Sequence, residues 1–294
     1  MARIHFLGVG KMGLPMANHL KNAGHELTVG DPSGERLALA RGAGLAVAEP
    51  DALAQADFVL SSLPNDTALL AVGQQVAQSA SAGTVYVDTS TVSLAASAQV
   101  ADLCSARGVA YLRTTVSGNN KMAEAAALTV MASGPRAAYE RVEPLLACWG
   151  PQRFYLGEGE QARLMKLVVN LLIAQTSAML AEGLTLGRKG GLDWQDMWQV
   201  LCASAVGSPI VRAKAVQLSQ RDFTPTFTVE QMIKDLELIV GAAREVHAPL
   251  PQTAATLQLM QAAVAQGLGR LDYAVIIQAV ERSAGLSTPD QGRP

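Results

Sequence analysis

Aromatic side chains make up only 4% of the 294 residues and charged ones only 16%. With 49% of the chain hydrophobic, the interior has to be built mainly from Ala, Leu, Val, Ile and Met, small and medium side chains that pack closely. The formal net charge is −2, and no dense Lys/Arg run or basic-aromatic interleaving occurs. There is thus no electrostatic footprint for a phosphate backbone, and nucleic acid is not an expected partner. Cysteine is scarce: Cys104, Cys148 and Cys202 stand far apart and form no C-x-x-C pair, so buried reduced thiols are the expectation. His5, His19, His25 and His247 are scattered, none beside a second candidate ligand, and no metal site is indicated. The longest apolar run, 167–174, is interrupted by Asn170 and is too short for a bilayer, and no basic-then-apolar leader opens the chain. A soluble cytoplasmic protein without a membrane partner is the expectation.

What the chain does have begins at once. The apolar run Ile4-His5-Phe6-Leu7 feeds Gly8-Val9-Gly10-Lys11-Met12-Gly13, a G-x-G-x-x-G loop that opens into a helical pattern. In such a loop the first glycine allows the tight turn, the second lets backbone N–H groups approach a pyrophosphate, and the third lets helix and strand pack closely. A second strand-like run, 27–30, ends at Asp31, about twenty residues on as the motif requires. A carboxylate there accepts hydrogen bonds from both ribose hydroxyls of NAD and repels the extra phosphate of NADP, so NAD is the expected cofactor and NADP the less favoured one.

Further strand-like runs at 58–61, 85–88, 109–112 and 128–131 alternate with helical segments such as 94–106. This pattern predicts an α/β fold: an N-terminal Rossmann domain with a doubly wound parallel sheet over residues 1–160, followed by an all-α C-terminal domain over 161–294. The two are joined by a long helix at about 161–187, with later helices at 194–203, 228–246, 252–266 and 273–284. The polar groups 61–65, 88–91 and 113–120 follow strands, where ligands collect in such sheets. The tail from Ser287 to Pro294 is polar and rich in Pro and Gly, and is expected to fray.

Lys166 and Asn170 are four residues apart on the long helix and share a face near the point where the two halves of the chain meet. A lysine inside Leu164-Met165-Lys166-Leu167-Val168-Val169 invites explanation because a buried unpaired ammonium is costly. Snorkelling to solvent is the ordinary alternative. The surrounding motifs shift that balance. Gly8 to Ala17, Val116-Ser117-Gly118, Lys166 with Asn170, and Lys234-Asp235-Leu236 occur in an order and at separations that resemble the β-hydroxyacid dehydrogenases, the group of 3-hydroxyisobutyrate dehydrogenases and tartronate semialdehyde reductases.

The resemblance implies hydride transfer between a small hydroxyacid and the nicotinamide, with Lys166 as general acid/base and Asn170 holding the substrate. A lysine in water titrates near ~10.4, so such a site must favour the neutral amine. By the same resemblance Ser117 and the N–H groups of Gly118 and Asn119 bind the substrate carboxylate. Lys234 contacts cofactor and substrate. Leu63, Pro64, Asn65, Ser90 and Thr91 resemble the family's ribose and nicotinamide contacts, and Phe227 is expected either beside the nicotinamide or as a core filler. A homodimer or homotetramer is expected from the family and from the long apolar helix.

The chain also departs from the pattern. Where the family reads Asp-Ala-Pro-Val-Ser-Gly-Gly, this sequence has Arg113-Thr114-Thr115-Val116-Ser117-Gly118-Asn119, and Glu160 and Ala162 replace glycines before the long helix. Arg113 is a candidate contact for a second acidic group on the substrate. Two other readings are an imine reductase on the same fold, which Lys166 argues against, and a non-catalytic NAD(H)-binding regulator, which the intact Ser117, Lys166 and Asn170 argue against.

Overall fold

A computed structural model describes residues 1–49 and 51–287. The tail expected to fray lies, beyond Ser287, outside the described residues. The chain divides into two compact units, one ending at Lys166 and the other starting at Leu167.

The first unit runs β1 (Arg3–Leu7), α1 (Gly13–Asn22), β2 (Glu26–Gly30), α2 (Gly34–Gly42), β3 (Ala46–Val47), α3 (Ala52–Gln55), β4 (Phe58–Ser61) and α4 (Asp66–Ser79). It continues with β5 (Val85–Asp88), α5 (Leu94–Ser105), β6 (Ala110–Ser117), α6 (Asn120–Glu124), β7 (Thr129–Ser133), α7 (Arg136–Leu146), β8 (Gln152–Tyr155) and the start of α8 (Gln161–Lys189). The strands form one sheet in the order β3-β2-β1-β4-β5-β6-β7-β8. The order through β6 is that of a Rossmann fold. β4 and β5 are buried at every position, as strands covered on both faces must be. Side chains alternate between two cores: Phe58, Leu60, Val85 and Val87 enter one, Val59 and Tyr86 the other. Helix α1 packs through Gly13, Met16, Ala17 and Leu20, a stripe with helical spacing.

One expectation is corrected here. The sheet is mixed, because β6 and β7 pair antiparallel from Arg113↔Ser133 to Ser117↔Thr129. Only eleven residues separate Ser117 from Thr129, too few for a parallel crossover. β6 therefore does not stop at 112. Arg113 to Val116 are buried strand residues, and the polar group expected after the strand shrinks to Ser117 and beyond.

The second unit is helical: the rest of α8, α9 (Trp194–Ala203), α10 (Pro209–Leu218), α11 (Val229–Glu245), α12 (Pro251–Ala265), a 3-10 turn (Tyr273–Val275) and α13 (Ile276–Ser283). α10 was not expected; Ser208 caps it and Pro209 opens it. α11 starts with a reciprocal capping box between Thr228 and Gln231. α13 is anchored by the buried Glu281, which receives Arg188 and both terminal nitrogens of Arg221. Burial alone would raise the Glu281 carboxyl, but the hydrogen bonds and charge of those arginines hold it below its usual value. By length and composition α8 could cross a bilayer, contrary to the expectation drawn from 167–174; core helices of soluble proteins pass the same test.

His5 on β1 is buried, with Nδ1 3.0 Å from Thr28 Oγ1 on β2. Burial pushes its pKa down to about 4, against the Thr28 contact that raises it. The folded state thus binds that proton more weakly than the unfolded chain. Its stability is complete above the unfolded value of ~6.5 and falls as pH drops from there towards 4, by up to about 3 kcal/mol. Urea unfolding of wild type and His5→Gln across this range should give curves that diverge by about that amount. Parallel curves would refute the assignment.

Candidate active site

The glycine loop has the shape its sequence implies. Gly8 turns off β1 at φ +87°, and a Cβ there would lie 2.4 Å from the Ser62 carbonyl oxygen. A Cβ on Gly13 would lie 2.0 Å from the Gly8 oxygen, so this glycine sets how closely α1 approaches the strand. Gly10 differs: a Cβ there would meet nothing nearer than the Arg36 guanidinium, at 3.8 Å. The backbone at Gly10 is thus open, with a cation beside it, as a pyrophosphate would require. Arg36 was not singled out from the sequence; its signal was a place in the first turn of α2, behind the Ser33 cap. Val9 is buried, Met12 is half-buried against the core and Lys11 is exposed. The Asp31 carboxylate accepts from Val9 N and Ser33 N, both at 2.9 Å, which ties the end of β2 to the loop. These residues fit a dinucleotide, and the acid is already oriented.

The groups after β4 and β5 are more structural than expected. Ser90 is buried; its hydroxyl donates to Asp88 Oδ1 at 2.6 Å and accepts from Leu63 N at 2.8 Å. It joins the two strand-end loops, and its one donor hydrogen is spent on Asp88. Asn65 caps α4 by accepting from Ala68 N at 2.9 Å, so its amide oxygen is likewise engaged. Pro64 is exposed and Thr91 half-buried.

At the end of β6, Ser117 is half-buried, and Gly118 takes φ +141° where a Cβ would strike Leu128. The Asn119 side chain caps α6, accepting from Met122 N at 3.0 Å. Its backbone N–H, with Ser117 and the Gly118 N–H, is what the segment can offer a carboxylate.

Arg113 is corrected. It is 7% exposed, donates from Nε to Glu160 Oε1 at 2.7 Å, contacts the same oxygen through Nη2, and stacks over the Tyr111 ring at 4.9 Å. The guanidinium is committed within the protein, and the reading of Arg113 as a substrate contact has no geometric support. Its partner is Glu160, so two departures from the family pattern neutralise each other.

The start of α8 is secured at several points. Ser133 Oγ donates to the Gly159 oxygen at 2.7 Å and accepts from Ala162 N at 3.0 Å, and Thr115 Oγ1 donates to the Ala162 oxygen at 2.9 Å. Arg163 is 1% exposed. It donates to Asp88 Oδ2 and the Ser90 carbonyl oxygen, to Tyr111 Oη at 2.9 Å and to Ser97 Oγ at 3.2 Å. Burial opposes its charge, yet Tyr111 and Asp88 hold it protonated beyond the usual arginine range. Burial also pushes the Tyr111 hydroxyl up to about 12, so it stays a neutral partner. Lys166, half-buried, follows one turn later.

In the second unit Asn170 is buried and donates from Nδ2 to Asp235 Oδ2 at 2.5 Å, which leaves its Oδ1 as an oriented acceptor. Lys234 Nζ lies 2.9 Å from the other Asp235 oxygen. Phe227 is half-buried, edge-on to Tyr273 with ring centroids 6.3 Å apart. Asp235 stands in the Lys-Asp-Leu motif and Asp88 in the polar group 88–91, but neither their roles nor Arg163 were legible in the sequence.

Residues 3–157 match the family described as the NAD binding domain of 6-phosphogluconate dehydrogenase, and residues 160–280 that described as NAD-binding of NADP-dependent 3-hydroxyisobutyrate dehydrogenase. A 2-(hydroxymethyl)glutarate dehydrogenase from Eubacterium barkeri is 34% identical over 292 residues, covering 97% of each chain. Glyoxylate/succinic semialdehyde reductase 2 of Arabidopsis thaliana is 32% identical, over 95% of this chain and 79% of that one. Among solved structures, the Mycobacterium tuberculosis 3-hydroxyisobutyrate dehydrogenase with L-serine superimposes with a TM-score of 0.87 at 28% identity, covering 95% of this chain and 99% of that one.

The second and third glycines of the loop should separate binding from folding. Gly13→Ala should lower the melting temperature, because a backbone oxygen stands where the methyl group must go. Gly10→Ala should melt with wild type yet bind NADH at least about tenfold more weakly by fluorescence titration, a loss of about 1.4 kcal/mol. Wild-type NADH affinity in Gly10→Ala would show that no phosphate approaches that backbone.

Proposed function

This chain belongs to the β-hydroxyacid dehydrogenases, nicotinamide-dependent oxidoreductases acting on CH–OH groups, and from that premise we propose that it reversibly oxidises a small β-hydroxyacid with Lys166 as general acid/base. The observation that carries this reading is the setting of Lys166. It lies one turn beyond a helix start secured to β5, β6 and β7, in the same unit as the glycine loop and Ser117.

The nicotinamide cofactor, when bound, accepts or returns the hydride. Lys166 takes the hydroxyl proton as the alcohol becomes a carbonyl and gives it back in reduction. Asn170, one turn further along the helix, accepts the substrate hydroxyl with Oδ1, because Asp235 holds its Nδ2. Ser117 and the N–H groups of Gly118 and Asn119 converge on the carboxylate, which needs several donors in a small space. NAD is the proposed cofactor, since the oriented Asp31 carboxylate repels a 2′-phosphate.

The Eubacterium barkeri relative is named for a dicarboxylate, which makes hydroxymethyl dicarboxylates worth testing alongside monocarboxylates. The commitment of Arg113 to Glu160 means that any second acid is met by other donors. We place the protein in the cytoplasm as a homo-oligomer. Leu172, Met179 and Leu186 recur at seven-residue spacing along α8 and are 59%, 64% and 75% exposed, a stripe that a second copy would cover. Light scattering of the purified chain should give a dimer or tetramer mass; a monomer at micromolar concentration would remove that part of the reading.

The decisive assay screens NAD-coupled oxidation of serine, glycerate, 3-hydroxyisobutyrate, 3-hydroxypropionate, threonate and 2-(hydroxymethyl)glutarate, with cyclic imines as controls. Wild type should turn over at least one hydroxyacid. Lys166→Met should bind NADH normally but lose activity by about 10²-fold or more, the usual scale for a positioned acid/base. Asp31→Ser should raise NADPH affinity relative to NADH. Turnover of imines alone, or an active Lys166→Met enzyme, would overturn the proposal.

A further inference from the structure

The start of α8 is held more heavily than a helix end requires. Ser133 and Thr115 satisfy the backbone of Ala162, and Arg113 on β6 fixes Glu160 immediately before the helix. These contacts come from β6 and β7. Among them, Ser133 gives the Ala162 N–H, one of the donors left open at a helix start, its acceptor.

Arg163 reaches the other way, towards β5. Its fork bonds four acceptors on separate parts of the fold: Asp88 at the end of β5, the Ser90 carbonyl oxygen in the following loop, Ser97 on α5 and Tyr111 on β6. A planar guanidinium held this way permits little rotation or sliding of the helix turn that carries it. Lys166 is three residues on and a neighbour on the helix surface. The other Asp88 oxygen, Oδ1, accepts from Ser61 Oγ at 2.5 Å and from Ser90 Oγ at 2.6 Å, and Ser90 in turn accepts from Leu63 N. A single carboxylate is therefore bonded to the turn before Lys166 and, through one hydroxyl, to the backbone of the loop after β4.

We infer that Arg163 is a positioning residue for Lys166, and that the Asp88–Arg163 pair sets the distance between the Lys166 amine and the strand-end loops at Leu63 and Ser90. The inference rests on Lys166 being the proton-transfer residue. Arg163 touches neither substrate nor cofactor. It acts by removing freedom from the helix turn, and a misplacement of about 1 Å at a reacting group costs up to about 10²-fold in rate.

The test compares Arg163→Lys, the double variant Asp88→Asn/Arg163→Met, and Arg188→Met. Lysine keeps the charge on Asp88 but cannot reach all four acceptors. The double variant removes both charges, a replacement that often preserves stability. Arg188→Met takes one of two arginines from Glu281 near the far end of α8, so it measures the effect of plain destabilisation. In Arg163→Lys and the double variant, kcat should fall about 10- to 100-fold while the hydroxyacid KM and the NADH dissociation constant stay within about threefold. The pH profile of Lys166 acylation, read by peptide mass spectrometry, should shift with kcat. Arg188→Met should melt earlier with kcat and profile unchanged.

If Arg163→Lys keeps wild-type kcat and the wild-type acylation profile, the pair serves folding alone and the inference fails. Should the double variant not fold, Arg163→Lys decides the matter. A wild type without hydroxyacid turnover would remove the assigned reaction, whereas the acylation profile reports on Arg163 without turnover and so distinguishes the two failures.

Discussion

A carboxylate at the end of a strand buried on both faces is costly unless a cation neutralises it and hydrogen bonds occupy its lone pairs. Asp88 meets both conditions through Arg163, Ser61 and Ser90. Once Arg163 is drawn in, the first turn of α8 has one place to sit. Tyr111 and Ser97 complete the guanidinium, and the Leu63 backbone is tied to the same carboxylate through Ser90. Removing one partner of such a pair typically costs about 3–5 kcal/mol, because the remaining charge stays buried. The arrangement is brittle to single changes, and so it defines the local geometry sharply.

Arg113 and Glu160 show the same physics applied to a departure from the family pattern. A buried arginine on β6 would be unfavourable by itself, and a glutamate in place of a glycine before α8 would have no partner. Together they form an ion pair that runs from the sheet to the segment entering the helix, with Tyr111 stacked on the guanidinium. Tyr111 thus lies between two arginines, one over its ring and one on its hydroxyl. The unusual residues at 113 and 160 are better read as one linked substitution than as two changes to a substrate pocket.

Much of the fold was legible because its signals are local. Apolar runs of strand length, the glycine spacing and the Pro and Gly punctuation each report on a few adjacent residues, and they located β1, β2, β4 and β5, the starts of β6 and β7, and most of the named helices, but not the short β3 and β8. The antiparallel turn of β6 into β7 was missed because Arg113, Thr114 and Thr115 look polar in sequence but are buried in the sheet. In the candidate site, Ser and Asn residues were the ambiguous class. Ser90, Asn65 and Asn119 have side chains suited equally to ligands and to caps, and all three are engaged within the protein. Arg163 was invisible because its partners lie 52 to 75 residues away.

The sequence by itself determined where the glycine loop leaves β1, which acid follows β2, and which lysine shares a helix face with an asparagine. Those properties follow from residue type and from spacings set by the backbone. Tertiary structure alone decided that Arg113 belongs to Glu160, that the Asn170 amide is turned by Asp235 so that Oδ1 is left as the acceptor, and that the turn before Lys166 is anchored to Asp88. Each of these depends on pairing buried charges and polar groups across long stretches of chain, and such pairs are chosen only when folding removes the water that would otherwise satisfy them.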